Sequence, residues 1–240
     1  MNDPKLFGLD FSDLGLPTGP EHTCPYLTGQ MARERAFAAD RLPFGVYRCL
    51  MDQGWRRSGR VLYKPSCAGC SQCRPIRIAV KDFQLNRTQR RLLKRNGHLE
   101  AHVRAPVPTE EKFHLFLRYQ RGRHVGDMCS TWEEFSGFLY ESPLETLEVC
   151  FWDNDELIGC AIVDVDFDCL SSVYTYFAPE MPERSLGTWA ILWLIQFARS
   201  RRLSHYYLGY YIPDCRKMNY KTNFRPCEIA DAKGEWHRLT

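Results

Sequence analysis

The strongest helical pattern in the chain lies between two tyrosine-rich segments. Over residues 185–201, apolar side chains recur at the three- and four-residue spacing that places them on one face of a helix. The flanking residues 171–178 and 206–212 have the composition of strands. A helix of this length is enough to connect two parallel strands of one sheet. The second half of the chain is therefore predicted to contain a sheet with a helical crossover.

Patterns before this helix predict further strands and two more helices. Residues 147–152 and 157–168 are predicted strands joined by an acidic turn, and the second strand carries aspartates on one face. Thr131 and Glu134 have the spacing of a capping box, which predicts a short helix, and Thr109 begins an earlier one. We expect an α+β, or mixed α/β, fold. The order of three strands, a helix and a strand is that of GNAT-type acyltransferases, although order alone does not define function.

Two prolines, Pro106 and Pro108, mark the clearest boundary, because proline interrupts both helices and strands. The chain before them is irregular and carries a cysteine-rich segment, whereas the chain after them is regularly patterned. We predict a smaller amino-terminal cysteine-bearing domain, residues 1–105, and a carboxy-terminal GNAT-like domain, residues 106–240.

Composition restricts the class of protein. The chain has 240 residues, 44% of them hydrophobic, so it is long enough to bury a core. It has no apolar run of the ~18 residues that a membrane span requires, so no membrane partner is expected. The first residues lack the basic and apolar regions of a signal peptide. Eleven cysteines without an export signal predict a reducing, cytoplasmic setting with free thiols or metal ligands.

Cys67, Cys70 and Cys73 form two overlapping C-x-x-C pairs, and Cys24 is available as a fourth ligand. Four thiolates suit a tetrahedral zinc ion or an iron–sulfur cluster. The pattern is neither a complete ferredoxin motif nor a zinc ribbon, so a loop of free, reduced cysteines stays open as the alternative. The other cysteines are expected in the core as small apolar residues. They are Cys49, Cys129, Cys150, Cys160, Cys169, Cys215 and Cys227.

Residues 208–225 combine three tyrosines and four cations with a single acid, Asp214. Aromatic faces beside fixed positive charge suit a ligand with phosphates, stackable bases or carboxylates. A buried strand followed by a solvated basic turn is the alternative interpretation.

The net charge of +3 is too small to indicate a nucleic-acid partner by itself. The cations are clustered, however, and clustering can create a local positive field on a nearly neutral protein. For each cluster, a solvated helix face is the alternative. The clusters are Arg56, Arg57, Arg60 and Lys64; Arg87, Arg90, Arg91, Lys94 and Arg95; Arg118, Arg121, Arg123 and His124; and Arg199, Arg201 and Arg202.

The turn at residues 184–187 immediately precedes the strong helix. Backbone N–H groups at a helix N-terminus can hold a phosphate, a carboxylate or an oxyanion. Gly187 would let a ligand approach the backbone closely, and an N-cap by Ser185 is compatible with that role. The sequence contains no H-E-x-x-H motif, no Walker loop and no G-x-G-x-x-G, which argues against dinucleotide or nucleoside-triphosphate chemistry.

Nine short segments, which occur in one order from residue 24 to residue 226, match a known family. They are CPY at 24–26, YKP at 63–65, the cysteine run at 67–73, PIR at 75–77, SSVYTY at 171–176, SLG at 185–187, YLGYYI at 207–212, CRKMNYK at 215–221 and FRP at 224–226. The chain resembles the aminoacyl-tRNA–protein transferases, a family that includes the arginyl-tRNA–protein transferases. It is most similar to the bacterial aspartate/glutamate leucyltransferase branch. It departs from the eukaryotic branch at Leu27 and Gln72, where that branch has cysteines.

The resemblance implies a cysteine-bearing domain, a GNAT-like domain, and transfer of an amino acid from charged tRNA to a protein N-terminus. In the leucyl branch the donor is leucyl-tRNA, the acceptors are proteins that begin with Asp or Glu, and the product is an N-degron. The attacking α-amine, with a pKa near ~8, is partly neutral at cytosolic pH, and the ester is already activated. Positioning and oxyanion stabilisation are then enough, and no cofactor is required for the chemistry. A structural or regulatory zinc ion or iron–sulfur cluster stays compatible.

The resemblance also suggests roles for particular residues. Backbone donors at Ser185, Leu186 and Gly187 are expected near the reacting carbonyl, and Tyr174 and Tyr176 are expected to line the aminoacyl pocket or stack the terminal adenosine. The proton acceptor is undetermined, with Asp164, Asp166 or a tRNA ribose hydroxyl as candidates. The expected substrate-binding residues are Ser171, Ser172, Tyr210, Tyr211, Lys217, Tyr220, Lys221 and Arg225.

Three other functions stay open at this point. The same chemistry could use arginyl-tRNA, and an acetyltransferase could use acetyl-CoA with the same strand order. An RNA-binding metalloprotein without transferase activity would also account for the cysteines and the basic segments.

Overall fold

The computed structural model describes residues 15–123 and 131–240. The segment before residue 15 and the predicted core cysteine Cys129 lie outside the described residues. The helices are α1 (Val46–Asp52), α2 (Arg87–Arg95), α3 (Glu110–Arg123), α4 (Trp132–Leu139), α5 (Leu186–Ser200) and α6 (Arg216–Asn219), with 3₁₀ helices at Pro182–Arg184 and Tyr220–Asn223. The strands are β1 (His22–Thr23), β2 (Met31–Ala32), β3 (Glu34–Ala38), β4 (Arg56–Ser58), β5 (Val61–Pro65), β6 (Arg74–Ala79), β7 (Glu100–Arg104), β8 (Glu145–Asp153), β9 (Glu156–Asp166), β10 (Cys169–Phe177), β11 (His205–Tyr211), β12 (Cys227–Ala230) and β13 (Trp236–Leu239).

An eight-stranded sheet with the order β13-β12-β6-β11-β10-β9-β8-β7 organises the described residues. β10 and β11 are parallel, and the other neighbouring pairs in this sheet are antiparallel. Helix α5 connects the parallel pair, as its length predicts. A three-stranded sheet, β3-β5-β4, and a two-stranded sheet, β1-β2, complete the strands. The predicted mixed α/β class, with three strands, a helix and a parallel strand in order, is confirmed.

Local sequence signals account for where two helices begin. Thr131 and Glu134 form the predicted capping box at the start of α4, with hydrogen bonds in both directions. At the start of α3 the Thr109 hydroxyl accepts a hydrogen bond from the Lys112 backbone N–H. These polar groups satisfy N–H donors that the first turn of a helix leaves without partners.

Strand pairing crosses the predicted boundary at residue 105. β6 and β7 precede that residue, yet β6 lies between β11 and β12, and β7 forms the edge beside β8. Pro106 and Pro108 therefore interrupt the chain between β7 and α3 without dividing the sheet. The division into residues 1–105 and 106–240 stays a prediction about domain organisation.

The large sheet is covered on both faces. α3 and α5 pack against β9, β10 and β11, and α2 packs against α5. On the other face, Tyr47, Leu50 and Leu62 pack against Cys169 of β10 and Tyr207 of β11. We call α1 with the three-stranded sheet the amino-terminal layer. The described cysteines that were predicted in the core are buried: Cys49, Cys150, Cys160, Cys169, Cys215 and Cys227.

The acidic face predicted on β9 is buried, because the amino-terminal layer covers it. Asp164 is 1% exposed and binds the Arg57 guanidinium, whose Nε and Nη2 donate at 2.7 and 2.8 Å. Asp166 is 3% exposed and accepts hydrogen bonds from the backbone N–H groups of Gly45 and Arg48 at the start of α1. These carboxylates fasten the layer to the sheet, so neither suits the role of proton acceptor.

Candidate functional site

β10 and β11 separate soon after they meet. They are paired over three residues of each strand, from Cys169 opposite His205 to Ser171 opposite Tyr207. Beyond this point β10 has a register shift against β9, and β11 has one against β6 near Gly209. Gly209 has a φ of 85°, a backbone conformation that favours glycine. Such irregularities bend strands away from their neighbours, so a gap opens between two strands of the central sheet.

Hydroxyl groups lie at the start of this gap. The side chains of Ser172 and Tyr206 are hydrogen-bonded to each other. Burial raises the pKa of Tyr206, so its hydroxyl keeps its proton at neutral pH. Tyr220 is 40% exposed and lies within electrostatic reach of both Tyr206 and Tyr119. The predicted residues Ser172 and Tyr220 are thus brought together around Tyr206, which sequence reasoning had not selected.

Tyr174 lies on the same side of the sheet and is half-buried. Its hydroxyl accepts a hydrogen bond from Gln120 Nε2 at 3.0 Å. Its ring packs edge-on against Tyr119, with the ring centroids 6.2 Å apart, and Tyr119 packs against Phe177 at 4.9 Å. Tyr119 therefore lies between Tyr174 and Phe177, the residue whose ring faces Gly187. No motif marks Tyr119 in the sequence.

The N-terminus of α5 forms the next boundary of the site. Ser185 is exposed and left-handed, with a φ of 47°, and its side chain makes no capping hydrogen bond, so the predicted N-cap bond is absent. The first-turn N–H groups of α5 therefore have no partner in the Ser185 side chain. A Cβ at Gly187 would lie 2.8 Å from Phe177 Cε1. The close Phe177 ring therefore explains why this position is a glycine, and no approach of a ligand is needed to explain it. Leu186 is 3% exposed, which leaves only its backbone for a site role.

Three predicted site side chains lie in the covered faces of the sheet instead. Tyr176 is fully buried, and its hydroxyl hydrogen-bonds that of Tyr140 at 3.2 Å. Tyr210 is 3% exposed and donates to the Gly54 carbonyl at 2.7 Å. Ser171 is 1% exposed. Successive strand residues point to opposite faces, and here both faces are covered, so the pocket role expected for these side chains does not agree with their burial.

The cations of residues 208–225 divide into exposed and buried groups. Lys217 and Arg225 are exposed, and Arg225 donates to the Thr222 and Thr240 carbonyls. Lys221 is 7% exposed, and its Nζ donates to the Tyr210 carbonyl at 2.7 Å. Burial, and then the charge of Arg56, lower the pKa of Lys221 to about 7. Its Nζ supports β11 through this hydrogen bond, which does not agree with the expected contact to substrate.

Tyr211, the last of the predicted substrate-binding residues, is half-buried and packs at the margin of the main core. Its side chain is thus partly accessible from the separated end of β11. Of the predicted tyrosines, Tyr174, Tyr211 and Tyr220 stay partly open to solvent.

The four predicted metal ligands are neighbours and partly exposed. The pKa of Cys73 is raised to about 12 by burial and then by the nearby thiols of Cys24, Cys67 and Cys70, with a further contribution from Cys215. A soft cation would offset this proton affinity, because metal coordination deprotonates thiols. The donor chemistry fits zinc or an iron–sulfur cluster.

The sulfur atoms are more widely spaced than in a closed metal site. Within residues 15–123 and 131–240, no three of these cysteines have their sulfurs within 4.8 Å of one another. The groups that meet this spacing are Glu148, Cys150 and Cys160, and Asp231, Glu235 and His237. The first of these groups is buried under α3, and the second lies in the turn between β12 and β13.

A pocket of about 430 Å³ lies beside the cysteine loop. Leu27, Cys70 and Gln72 line it from the amino-terminal part of the chain, and Asp214 lines it from the segment that follows β11. The pocket therefore joins the cysteine segment to residues 208–225. The Asp214 carboxylate favours a cationic or hydrogen-bond-donating group there over an anion.

Two family models match this chain in the order expected from the sequence. The model of the arginine-tRNA-protein transferase N terminus matches residues 22–91, and that of its C terminus matches residues 111–231. The chain belongs to the arginine-tRNA-protein transferase family. The resemblance drawn from the nine segments is confirmed.

Curated relatives specify the branch. The chain is 42% identical to an aspartate/glutamate leucyltransferase of Hahella chejuensis, over 88% of this chain and 91% of that protein. It is 40% identical to one of Marinobacter nauticus, over 92% of this chain and 94% of that protein. The solved structure of L-PGS from Bacillus licheniformis aligns with a TM-score of 0.47 at 10% identity, over 74% of this chain and 52% of that one. The helices of the described residues are too short or too polar to cross a membrane.

Proposed function

We propose that this protein transfers leucine from leucyl-tRNA to the α-amino group of proteins that begin with Asp or Glu. It acts in the cytoplasm, and its product is an N-degron for protein degradation. The observation that carries the proposal is the 42% identity, over 88% of the chain, to a protein named aspartate/glutamate leucyltransferase.

The reaction needs positioning more than it needs a nucleophile. The neutral α-amine attacks the ester carbonyl carbon, an amide bond forms, and the ester C–O bond breaks to release the tRNA ribose hydroxyl. The first-turn N–H groups of α5 suit the developing oxyanion, and the hydroxyl groups of Ser172 and Tyr220 suit the polar atoms of the donor. Because Asp164 and Asp166 are held by the amino-terminal layer, the proton leaves through a ribose hydroxyl or water.

The exposed cations beside Tyr220 supply the charge that the substrates require. Lys217 and Arg216 are exposed next to it, and Arg225 is exposed nearby. They suit either tRNA phosphates or the carboxylate of an acceptor that begins with Asp or Glu. Lys221 is buried and therefore does not belong to this group of exposed cations.

The direct test supplies purified protein with tRNA charged with radiolabelled leucine and with three peptides that differ only in an initial Asp, Glu or Ala. We expect label on the Asp and Glu peptides and none on the Ala peptide. Label on no peptide would refute the proposal. Binding of tRNA without product would then favour the RNA-binding metalloprotein.

An arginyl donor is the second candidate, because both matching family models are described as arginine-tRNA-protein transferase. The same assay with arginyl-tRNA separates the two donors. We expect the leucyl donor to be preferred. A preference for arginine would replace the donor and keep the chemistry.

We also propose that Cys24, Cys67, Cys70 and Cys73 hold a structural or regulatory zinc ion or iron–sulfur cluster. Their partial exposure and mutual proximity support it. Elemental analysis of protein purified without air should find one zinc ion or one cluster per chain. Cys70→Ser should lose it, whereas Cys227→Ala, which alters a buried cysteine on β12, should keep it. Absence of both zinc and iron in the wild type would refute this part.

A further inference from the structure

Helix α2 presents one continuous basic face to solvent. Arg87, Arg90, Arg91 and Lys94 follow one another at helical spacing of three, four and seven residues, and all four are exposed. Within the described residues, none of their side chains forms an ion pair with a carboxylate. The opposite face of α2 is buried. Because these side chains form no ion pair with any described residue, they are available to a partner.

The composition of α2 is unfavourable for an isolated surface helix. It has no acidic residue, and its like charges at i,i+4, Arg87 with Arg91 and Arg90 with Lys94, repel each other. A cation in the first turn also opposes the helix dipole. The capping box of Asn86 and Gln89 stabilises the start of the helix in spite of this repulsion. A surface that faces only solvent usually carries charges of both signs. A face with cations alone is better suited to contact with a polyanion.

The two ends of α2 contact the two sides of the candidate site. Near its start, Gln89 Nε2 donates to the Asn223 carbonyl at 3.1 Å, at the end of the 3₁₀ helix that begins with Tyr220. Just past its end, Asn96 Nδ2 donates to the Arg184 carbonyl at 2.9 Å, directly before Ser185. α2 therefore lies beside both the basic segment and the N-terminus of α5. A nucleic acid whose 3′ end enters the site would pass along this helix.

We propose that the basic face of α2 binds the phosphates of the tRNA acceptor arm and so holds the donor while its charged 3′ end occupies the site. This inference rests on the proposed function. It gives the protein a second surface that contacts tRNA, outside the reacting centre. Arginine is well suited to the task, because its planar guanidinium binds phosphate oxygens in pairs. Contacts of this kind position a nucleic acid without reading its sequence.

The test compares Arg90→Gln/Arg91→Gln with Arg41→Gln/Lys233→Gln. Arg41 and Lys233 are exposed cations, in the amino-terminal layer and in the turn between β12 and β13, so the control changes the net charge equally. Glutamine has a helix propensity close to that of arginine, and melting temperatures verify that the variants fold. Filter binding measures the Kd of uncharged tRNA between 50 and 200 mM salt. Kinetics use both leucyl-tRNA and a leucylated CCA trinucleotide.

For the α2 variant we expect roughly tenfold weaker tRNA binding, and a slope of log K against log salt that is smaller by about 1.5, as for two lost phosphate contacts. Its KM for leucyl-tRNA should rise about tenfold with kcat unchanged, while the trinucleotide is used as by the wild type. The Kd and KM of the control variant should stay within twofold of the wild-type values.

Equal tRNA binding by the α2 variant and the control would overturn the inference, as would an equal loss with the trinucleotide, which would indicate a disturbed site. If the wild type transferred leucine from neither donor, the proposed function would fail. The binding measurement would still decide the role of α2.

Discussion

Arg57 and Asp164 form a two-point ion pair from which solvent is completely excluded, with the Arg57 Nε 2.7 Å from the Asp164 carboxylate. The Thr146 hydroxyl also donates to Asp164 Oδ1 at 2.7 Å. Arg57 belongs to β4 and Asp164 to β9, so the pair fastens the amino-terminal layer to the central sheet. Asp164 lies opposite Ser171 of β10, so the pair lies one layer behind the candidate site.

Removing one partner of this pair should destabilise the protein strongly. Arg57→Met leaves a buried carboxylate without its counter-ion, and such a change costs about 3–5 kcal/mol. Urea unfolding at neutral pH measures the loss. Arg57→Met/Asp164→Leu removes both charges and should recover most of it. A loss of less than ~1 kcal/mol in the single variant would show that water or another group reaches Asp164.

The same two residues show where sequence reasoning stops. Periodicity predicted β8 to β11 and α5, and the capping residues Thr109 and Thr131 predicted the starts of α3 and α4, because those signals are local. Periodicity predicted an acidic face on β9 because alternation reports which residues share a face, and does not report what covers that face. The covering arginine is 107 positions away in sequence.

The candidate site was predictable to a similar degree. The nine segments identified the family, yet Tyr119 has no motif, because its position depends on packing between α3 and β10. Lys217 and Lys221 look alike in sequence, and only the fold buries one of them. Burial of individual side chains depends on contacts from distant segments, which a single sequence does not specify.

Lys217 and Lys221 should therefore respond differently to the same substitution. Lys221→Ala removes a buried side chain and leaves the Tyr210 carbonyl without its donor, so we expect a loss of about 2–4 kcal/mol of unfolding free energy. Lys217→Ala should change stability by less than ~0.5 kcal/mol and raise the KM for leucyl-tRNA several-fold. Thermal unfolding and transfer kinetics on both variants separate the roles. Equal stability losses would show that Lys217 also supports the fold.

Gly187 and Phe177 should behave as a coupled pair. The added methyl of Gly187→Ala would meet the Phe177 ring at 2.8 Å, and overpacking of this kind costs typically ~1–3 kcal/mol. Because the strain falls on the first turn of α5, transfer activity should decline as well. Phe177→Leu/Gly187→Ala should recover stability relative to Gly187→Ala alone. If the second substitution gave no recovery, the two side chains would not be in contact.

His205 should make the protein less stable in acid. Its side chain is 19% exposed and lies 3.7 Å from the Glu228 carboxylate, yet burial and the charges of Arg77 and Arg48 lower its pKa to about 4, against an ordinary value of 6.5. The carboxylates of Glu228 and Asp168 oppose this shift only in part. Because the folded state holds the neutral ring, the unfolded chain binds a proton first as the pH falls below 6.5. Stability is therefore lost between pH 6.5 and 4. At pH 5 this loss is about 2 kcal/mol relative to pH 8.

His205→Gln removes the titration and keeps a polar side chain of similar reach. Urea unfolding of the wild type and His205→Gln at pH 8, 6.5 and 5 isolates the histidine from the carboxylates that both proteins share. We expect the wild type to lose about 2 kcal/mol more than the variant between pH 8 and pH 5. If stability fell equally with pH in the two proteins, Glu228 would stabilise the imidazolium as well as water does. The charges of Arg77 and Arg48 would then not lower the pKa of His205.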